Sequence, residues 1–219
     1  TFVDGTGSLL VDGGRLETKI IRLGAEVLAQ GAMFRMTSGT VNCGGSGYAV
    51  LLIGYTAGAP LQGSARAEIL GGTFAATGLV SDAGIYIGVA QHGALFVSGT
   101  NGAAASVSAD KIWFGWRDDG GNNYAATNDL EIGSNAVVSA SSFVGKFTTA
   151  GLGRARLKAG GVLRTPTVFT RTGALDFRFQ GGRLEMTAPS NTLFEGAGMT
   201  VSVEADSELD TGAAATVCP

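Results

Sequence analysis

Apolar and polar residues alternate strictly from Leu175 to Gln180. Leu175, Phe177 and Phe179 are separated by Asp176, Arg178 and Gln180, two glycines follow, and Leu184 resumes the apolar side. A period of two predicts a half-buried β-strand. The same pattern stands near the other end, where residues 9–17 read LLVDGGRLE, with Val11 and Leu16 in the places of Phe179 and Leu184. Two apolar anchors five residues apart, with a turn residue three after the first, recur as Val11/Leu16, Met36/Val41, Ile69/Phe74, Ile132/Val137, Leu157/Val162 and Phe179/Leu184. Val97 opens another unit, whose second anchor Val107 is displaced by the insertion TNGAAAS. Val203 opens the last, where Glu208 occupies the expected second anchor and Leu209 comes one place late. The first anchors are 25, 33, 28, 35, 25, 22 and 24 residues apart. A mean of roughly 27 residues lies in the range of solenoid repeats.

The turn position tests this reading. It holds Gly14, Gly39, Gly72, Asn135, Gly160, Gly182 and, in the last unit, Asp206. These residue types tolerate the left-handed backbone that a sharp bend between two short strands demands. A second strand ends on Gly24, Gly54, Gly88, Gly115 and Gly145 in the first part of the chain. Its alternation places Ile21, Leu51, Ile85 and Ile112 on one face with Leu23, Ile53, Ile87, Phe114 and Val144. The opposite face carries Arg22, Leu52, Tyr86, Trp113 and Phe143, expected as an outward, largely aromatic ladder. No 12-residue stretch keeps a helical period, and no two-residue NG or DG hairpin loops separate the units, which favours coils over meanders. The expected fold is all-β: a single-stranded parallel β-solenoid of about eight rungs, occupying residues 1–219 as one domain. At ~4.8 Å per rung the rod would be roughly 35–40 Å long.

Composition narrows the function classes. Glycine supplies 36 of 219 residues without a Gly-X-Y period, which excludes collagen. Hydrophobic residues at 45 % argue against disorder, and charged residues at 15 % argue against a coiled coil. A net charge of −3 gives no electrostatic reason to bind nucleic acid. Residues 36–65 and 83–109 carry no Asp, Glu, Lys or Arg, but Gly, Ser, Thr, Asn and Gln break both, so neither is expected to insert in a membrane. The sequence opens on TFVDGTGS, with no basic or apolar signal region, so a secretory signal is expected to have been removed or to lie outside it.

The segment GGRLE after an alternating strand, followed by TLFEGAGMTVSVEADSELDTG, resembles the autotransporter-associated β-strand repeat, as do GSLLVDGGRLET and the IYIG…GALFVSG run. The resemblance covers nearly all of residues 7–212. It implies a right-handed parallel β-helix from the passenger region of a secreted or cell-surface bacterial adhesin. It supplies no catalytic residues to carry over, and the chain lacks the family's C-terminal membrane barrel. The expected piece is a segment of a longer passenger, or a unit that stacks.

Candidate sites stand beside plainer readings. The loop at residues 117–128, RDDGGNNYAATN, collects Asp118 and Asp119 with Asp129 close by, oxygen donors of the kind calcium takes. Its spacing matches no calcium repeat, and the plainer reading is a polar, turn-forming insertion. Arg117 with Asp118 and Asp119 is the one compact set for a polysaccharide lyase or hydrolase, and no matching acidic cluster recurs on neighbouring rungs. The ladder Leu52, Tyr86, Trp113 and Phe143 could stack on sugar rings or a partner surface, or be covered as a satellite core. Tyr55 and Trp116 follow their glycines and either continue the inner face or pack beneath loops. His92, the one histidine, is expected in a solvated loop, without partners for a triad or zinc cluster. Cys43 and Cys218 fall in the second and last rungs, ~29 Å apart on a straight rod of ~4.8 Å steps. A disulfide needs Cα atoms ~4.4–6.8 Å apart, so the pair is read as free thiols, as bonds to residues beyond this segment, or as an intermolecular bridge.

The expected function is a non-catalytic extracellular structural and adhesive module, without cofactor, that binds a host or neighbouring-cell surface or a glycan. The alternatives are a carbohydrate-active enzyme or tailspike-like glycan binder, and a subunit of an end-to-end filament.

Overall fold

The computed structural model describes residues 1–3, 6–24, 30–44, 50–55, 63–78, 83–89, 91–100, 102–115, 127–145, 151–170, 173–188 and 192–212. Among the described residues there is no helix, and the strands join in one 20-stranded sheet whose strand-to-strand pairings are all parallel. The sheet is open rather than closed into a barrel, an arrangement consistent with a β-helix or solenoid.

The pairings run as three ladders. The first passes through Phe2–Val3, Ile20–Leu23, Val50–Ile53, Gly84–Ile87, the ends of Ala105–Phe114 and Ala136–Val144, then Val168–Phe169 and Phe194–Glu195. The second begins in the first halves of Ser8–Thr18 and Gln30–Cys43. It continues through Ser64–Ile69, His92–Val97, Thr127–Ile132, Leu152–Lys158 and Ala174–Gln180 to Met199–Ala205. The third takes the second halves of Ser8–Thr18 and Gln30–Cys43, then Gly72–Ala76 and the starts of Ala105–Phe114 and Ala136–Val144. Gly161–Thr165, Arg183–Met186 and Glu208–Asp210 complete it.

Register, set by the apolar pattern, puts like on like. The first anchors Val11, Met36, Ile69, Val97, Ile132, Leu157, Phe179 and Val203 are all direct partners along the second ladder. Leu16, Val41, Phe74, Val107, Val138, Leu163, Leu184 and Leu209 form the matching column of the third. Val138 and Leu163 therefore replace the expected Val137 and Val162, because the two turns that precede them hold one residue more. Leu209 replaces Glu208 because a bulge opposite Phe179/Gln180 inserts a residue before it. Nearly all of these side chains lie in one continuous core cluster, through which Phe114, Phe143, Phe177 and Phe179 run at centroid spacings of 5.7, 6.2 and 5.1 Å.

The turns match the backbone chemistry. Gly14, Gly39, Gly72, Asn135 and Gly160 all have positive φ, whereas in the Phe179–Leu184 unit Gly181 takes that role in place of Gly182. Asp206 is not among the positive-φ residues. The TNGAAAS insertion turns back on itself through a bridge between Thr100 and Ala103, with the Ala103 N–H donating to the Thr100 carbonyl at 2.9 Å.

Candidate functional site

Register brings Arg22, Leu52, Tyr86 and Trp113 into one column of the first ladder, facing away from the main core as the alternation predicts. The ladder is nonetheless corrected at one member, and of its two readings the structure shows the covered satellite core. Phe143 pairs with Ile112, so it faces inward, between Phe114 and Phe177, while Val144 continues the outer column. The glycine alignment fails there by one residue, since Val144 partners Trp113 where Phe114 would be expected. The column is also not open to solvent: Leu52 is 6 % exposed, and Tyr86 and Phe143 are 0 % exposed. Leu52 and Tyr86 instead form a satellite core with Val50 and Val89, against which Ile20, Tyr55 and Trp113 pack. Tyr86 meets the edge of Trp113 at 5.3 Å, and Lys111 Nζ lies 4.9 Å from the Trp113 ring. Trp113, like Arg22, is half-buried. Trp116 lies outside the described residues.

The outward columns of the second ladder carry the densest chemistry among the described residues. Register sets Arg35 opposite Glu68, Asp129 opposite Arg154 and Glu131 opposite Arg156. Opposite charges directly across a pair of strands attract, and burial strengthens them. Asp129, almost buried, takes a two-pronged contact from Arg154 at 2.8 and 2.9 Å, with Arg156 at 3.4 Å. Lys158 reaches Glu131 at 2.8 Å, and Arg178 joins Asp176 at 2.6 Å to Glu204 at 3.0 Å. Glu68 is held by Arg35 at 2.7 Å and by Arg66, whose guanidinium lies 4.0 Å from the Phe96 ring. In the third ladder Arg183 gathers Glu185 at 3.1 Å, Glu208 at 3.5 Å and Asp210 at 2.5 Å. The Gly212 N–H, and after it Arg183, hold the Asp210 carboxyl below the ordinary carboxylate range. The alternations GRARLK, NDLEI and LDFRF contained this network, but only the register between distant strands reveals it.

Asp129 therefore has its carboxylate committed to arginines, which disfavours its expected use as a calcium ligand. Asp118 and Asp119 lie outside the described residues. No group of three or more His, Cys, Asp or Glu among the described residues is placed to hold a metal ion. His92 is not in a solvated loop: it opens strand His92–Val97, with Nδ1 against the Thr127 carbonyl and Nε2 3.9 Å from Asp129. Two neighbouring polar residues, Gln91 and Asn128, were missed by the sequence reading and are fully buried. Asn128 accepts from the Gly93 N–H at 3.3 Å and packs so tightly on Gly88 that a Cβ there would fall 1.8 Å from its Oδ1.

Cys43 stands in the main core, between Thr18 and Ala76 in register, with its thiol pushed up to about 12 by burial. An intermolecular bridge through Cys43 is thereby disfavoured, because exchange needs an accessible thiolate. Cys218 lies outside the described residues.

The ladders define the class: an all-β protein built on one large parallel sheet. No family model matches the chain, and no curated protein matches it. Among solved structures, the Caldicellulosiruptor kristjanssonii tapirin C-terminal domain is similar at 13 % identity and a TM-score of 0.28. The match covers 100 % of this chain, which spans about half, 53 %, of that one. At that score the likeness carries no argument.

Proposed function

We propose that the chain is a right-handed parallel β-helix of about eight coils that works outside the cell as a stiff structural and adhesive module, like an autotransporter passenger segment. The observation that carries this reading is the continuity of the inward columns. Each anchor column passes from strand to strand without a break, so bending the molecule would strain every ladder at once. Right-handedness follows from the general chirality of parallel crossovers. Outside the core, carboxylates and cations on adjacent strands satisfy one another, which suits a surface that presents features while keeping its own backbone fixed. Half-buried Trp113 and the Arg66–Phe96 pair are the features best suited to stack on a sugar or a partner's side chain.

The test is retention of a panel of glycans and of cell surfaces on the immobilised chain, with reducing ends assayed in the same wells. The reading predicts retention of a subset with no release of new reducing ends. Release of oligosaccharide would replace it with a carbohydrate-active enzyme, and no retention on any surface would remove the adhesive role.

A further inference from the structure

The outward face of the second ladder is cationic, although the whole chain has a net charge of −3. Among the described residues, its rows from Gln30–Cys43 to Leu152–Lys158 set five cations, Arg35, Arg66, Arg154, Arg156 and Lys158, among three carboxylates, Glu68, Asp129 and Glu131. The row after them is balanced, Arg178 against Asp176. Depth separates the signs further. The Glu68 and Asp129 side chains are 8 % exposed and Glu131 23 %, whereas Arg35, Arg66, Arg154 and Lys158 are 34–51 % exposed. The carboxylates lie beneath, and the cations stand toward solvent. Arg35 meets Glu68 through Nε, and Arg154 uses Nε and Nη2 on Asp129. Each guanidinium carries five N–H donors, so donors remain for a ligand. Midway along the face, half-buried Phe96 shares the column of Arg35, Glu68, Glu131 and Arg156, with the Arg66 guanidinium 4.0 Å from its ring.

We propose that this face binds an acidic polysaccharide, one bearing carboxylate or sulfate groups, laid along the columns from Arg35 to Lys158. The proposal names the ligand class for the adhesive reading above and rests on it. Four row steps of ~4.8 Å give a track of about 19 Å. Along it, guanidinium forks suit the paired oxygens of carboxylates and sulfates. The Phe96 ring with Arg66 offers a stacking face to the C–H side of a sugar. A neutral glycan would use Phe96 and leave the cations without a role. Duplex DNA, with one charge per ~1.7 Å of axis, is opposed by the net −3 of the whole chain. An anionic membrane is matched by clustered cations beside apolar groups that insert, and here the aromatic ring lies beneath Arg66.

The experiment is binding of the 219-residue chain to immobilised polygalacturonate, dextran sulfate and unmodified dextran across a sodium chloride series. The wild type is expected to bind one or both acidic polymers about tenfold or more tighter than dextran, with affinity falling as salt rises. Arg66→Gln leaves Glu68 its Arg35 partner and Lys158→Gln leaves Glu131 its Arg156 partner, so folding is retained. Each is expected to weaken binding about twofold to fivefold, the scale of an exposed ion pair, and the two together about tenfold. Phe96→Ala is expected to weaken it about threefold to tenfold. Arg164→Gln removes an equal charge from the third ladder, where Glu185 keeps Arg183, and is expected to leave binding unchanged. Binding to polygalacturonate alone supports the proposal with a uronate as the ligand, and binding to dextran sulfate alone supports it with a sulfate ester. Equal binding to dextran, a double variant that binds like the wild type, an equal loss in Arg164→Gln, or tighter binding to duplex DNA or phosphatidylserine vesicles overturns it. Retention of neutral glycans only refutes the acidic ligand and leaves the adhesive reading standing; retention on no glycan and no cell surface refutes both.

Discussion

Cys43 and Asp129 show how much a strand position decides about a side chain. Cys43 faces the apolar column, so burial removes the water that a thiolate needs, and its proton is held to about 12 against an ordinary 9.0. The sign of the consequence follows from linkage. Below 9.0 both folded and unfolded thiols are protonated; above it the unfolded chain ionises while the folded one keeps its proton. Cys43 therefore draws stability down as pH rises from about 9 to about 12. Urea unfolding at pH 8, 9.5 and 11 is expected to show a steeper decline for the wild type than for Cys43→Ala, and native-state alkylation is expected to leave Cys43 unmodified. Equal slopes and ready alkylation would place the thiol at the surface. Asp129, one strand column away from such apolar positions, faces outward and still loses most of its water to Arg154 and Arg156. What its sequence neighbourhood offered as a ligand became one half of a cross-strand pair.

At the scale of the element, the turns carry the tightest constraints. Gly14, Gly39 and Gly72 stack in successive rows, and their backbones touch: a Cβ on Gly39 would lie 2.6 Å from the Gly14 carbonyl oxygen, and one on Gly72 2.4 Å from that of Gly39. Gly14 has a φ of +69° but nothing within 4 Å of an added Cβ. Gly14→Ala is thus expected to cost about 1–2 kcal/mol from the left-handed backbone alone. Gly39→Ala adds the clash, about 1–3 kcal/mol more. Chemical denaturation of the two variants compares them directly, and equal losses would mean that the rows are not in contact. The turn residues were legible because few residue types accept that backbone. The second anchors were less so: Val137 and Val162 sit beside Val138 and Leu163, equally apolar, and only the length of the preceding turn decides which of each pair faces inward. Phe143 was misplaced for the same reason. Its glycine, Gly145, ends the strand one residue out of step with Gly115, so an aromatic expected outside became part of the aromatic core.

For the whole molecule, the parallel stacking was legible because the first anchors repeat without exception, and every one of them is in register. The covered state of the Tyr86 column was not, since alternation assigns a face to a side chain and says nothing about what lies over that face. The charge network was hidden for a related reason: its cross-row partners are 21 to 33 residues apart and meet only once the rows are stacked. The central claim is that sequence-distant strands lie on successive rows in constant register. Leu10, Arg156, Arg178 and Ser202 occupy one outward column of the second ladder. Spin labels on cysteines replacing Leu10 and each of the other three in turn, with Cys43 and Cys218 changed to Ala, measure it by pulsed dipolar spectroscopy. The stacked rows predict backbone separations of about 24, 29 and 34 Å, rising by one ~4.8 Å step per row. Distances that fail to rise in that order, or that follow sequence separation in place of row number, would contradict the account.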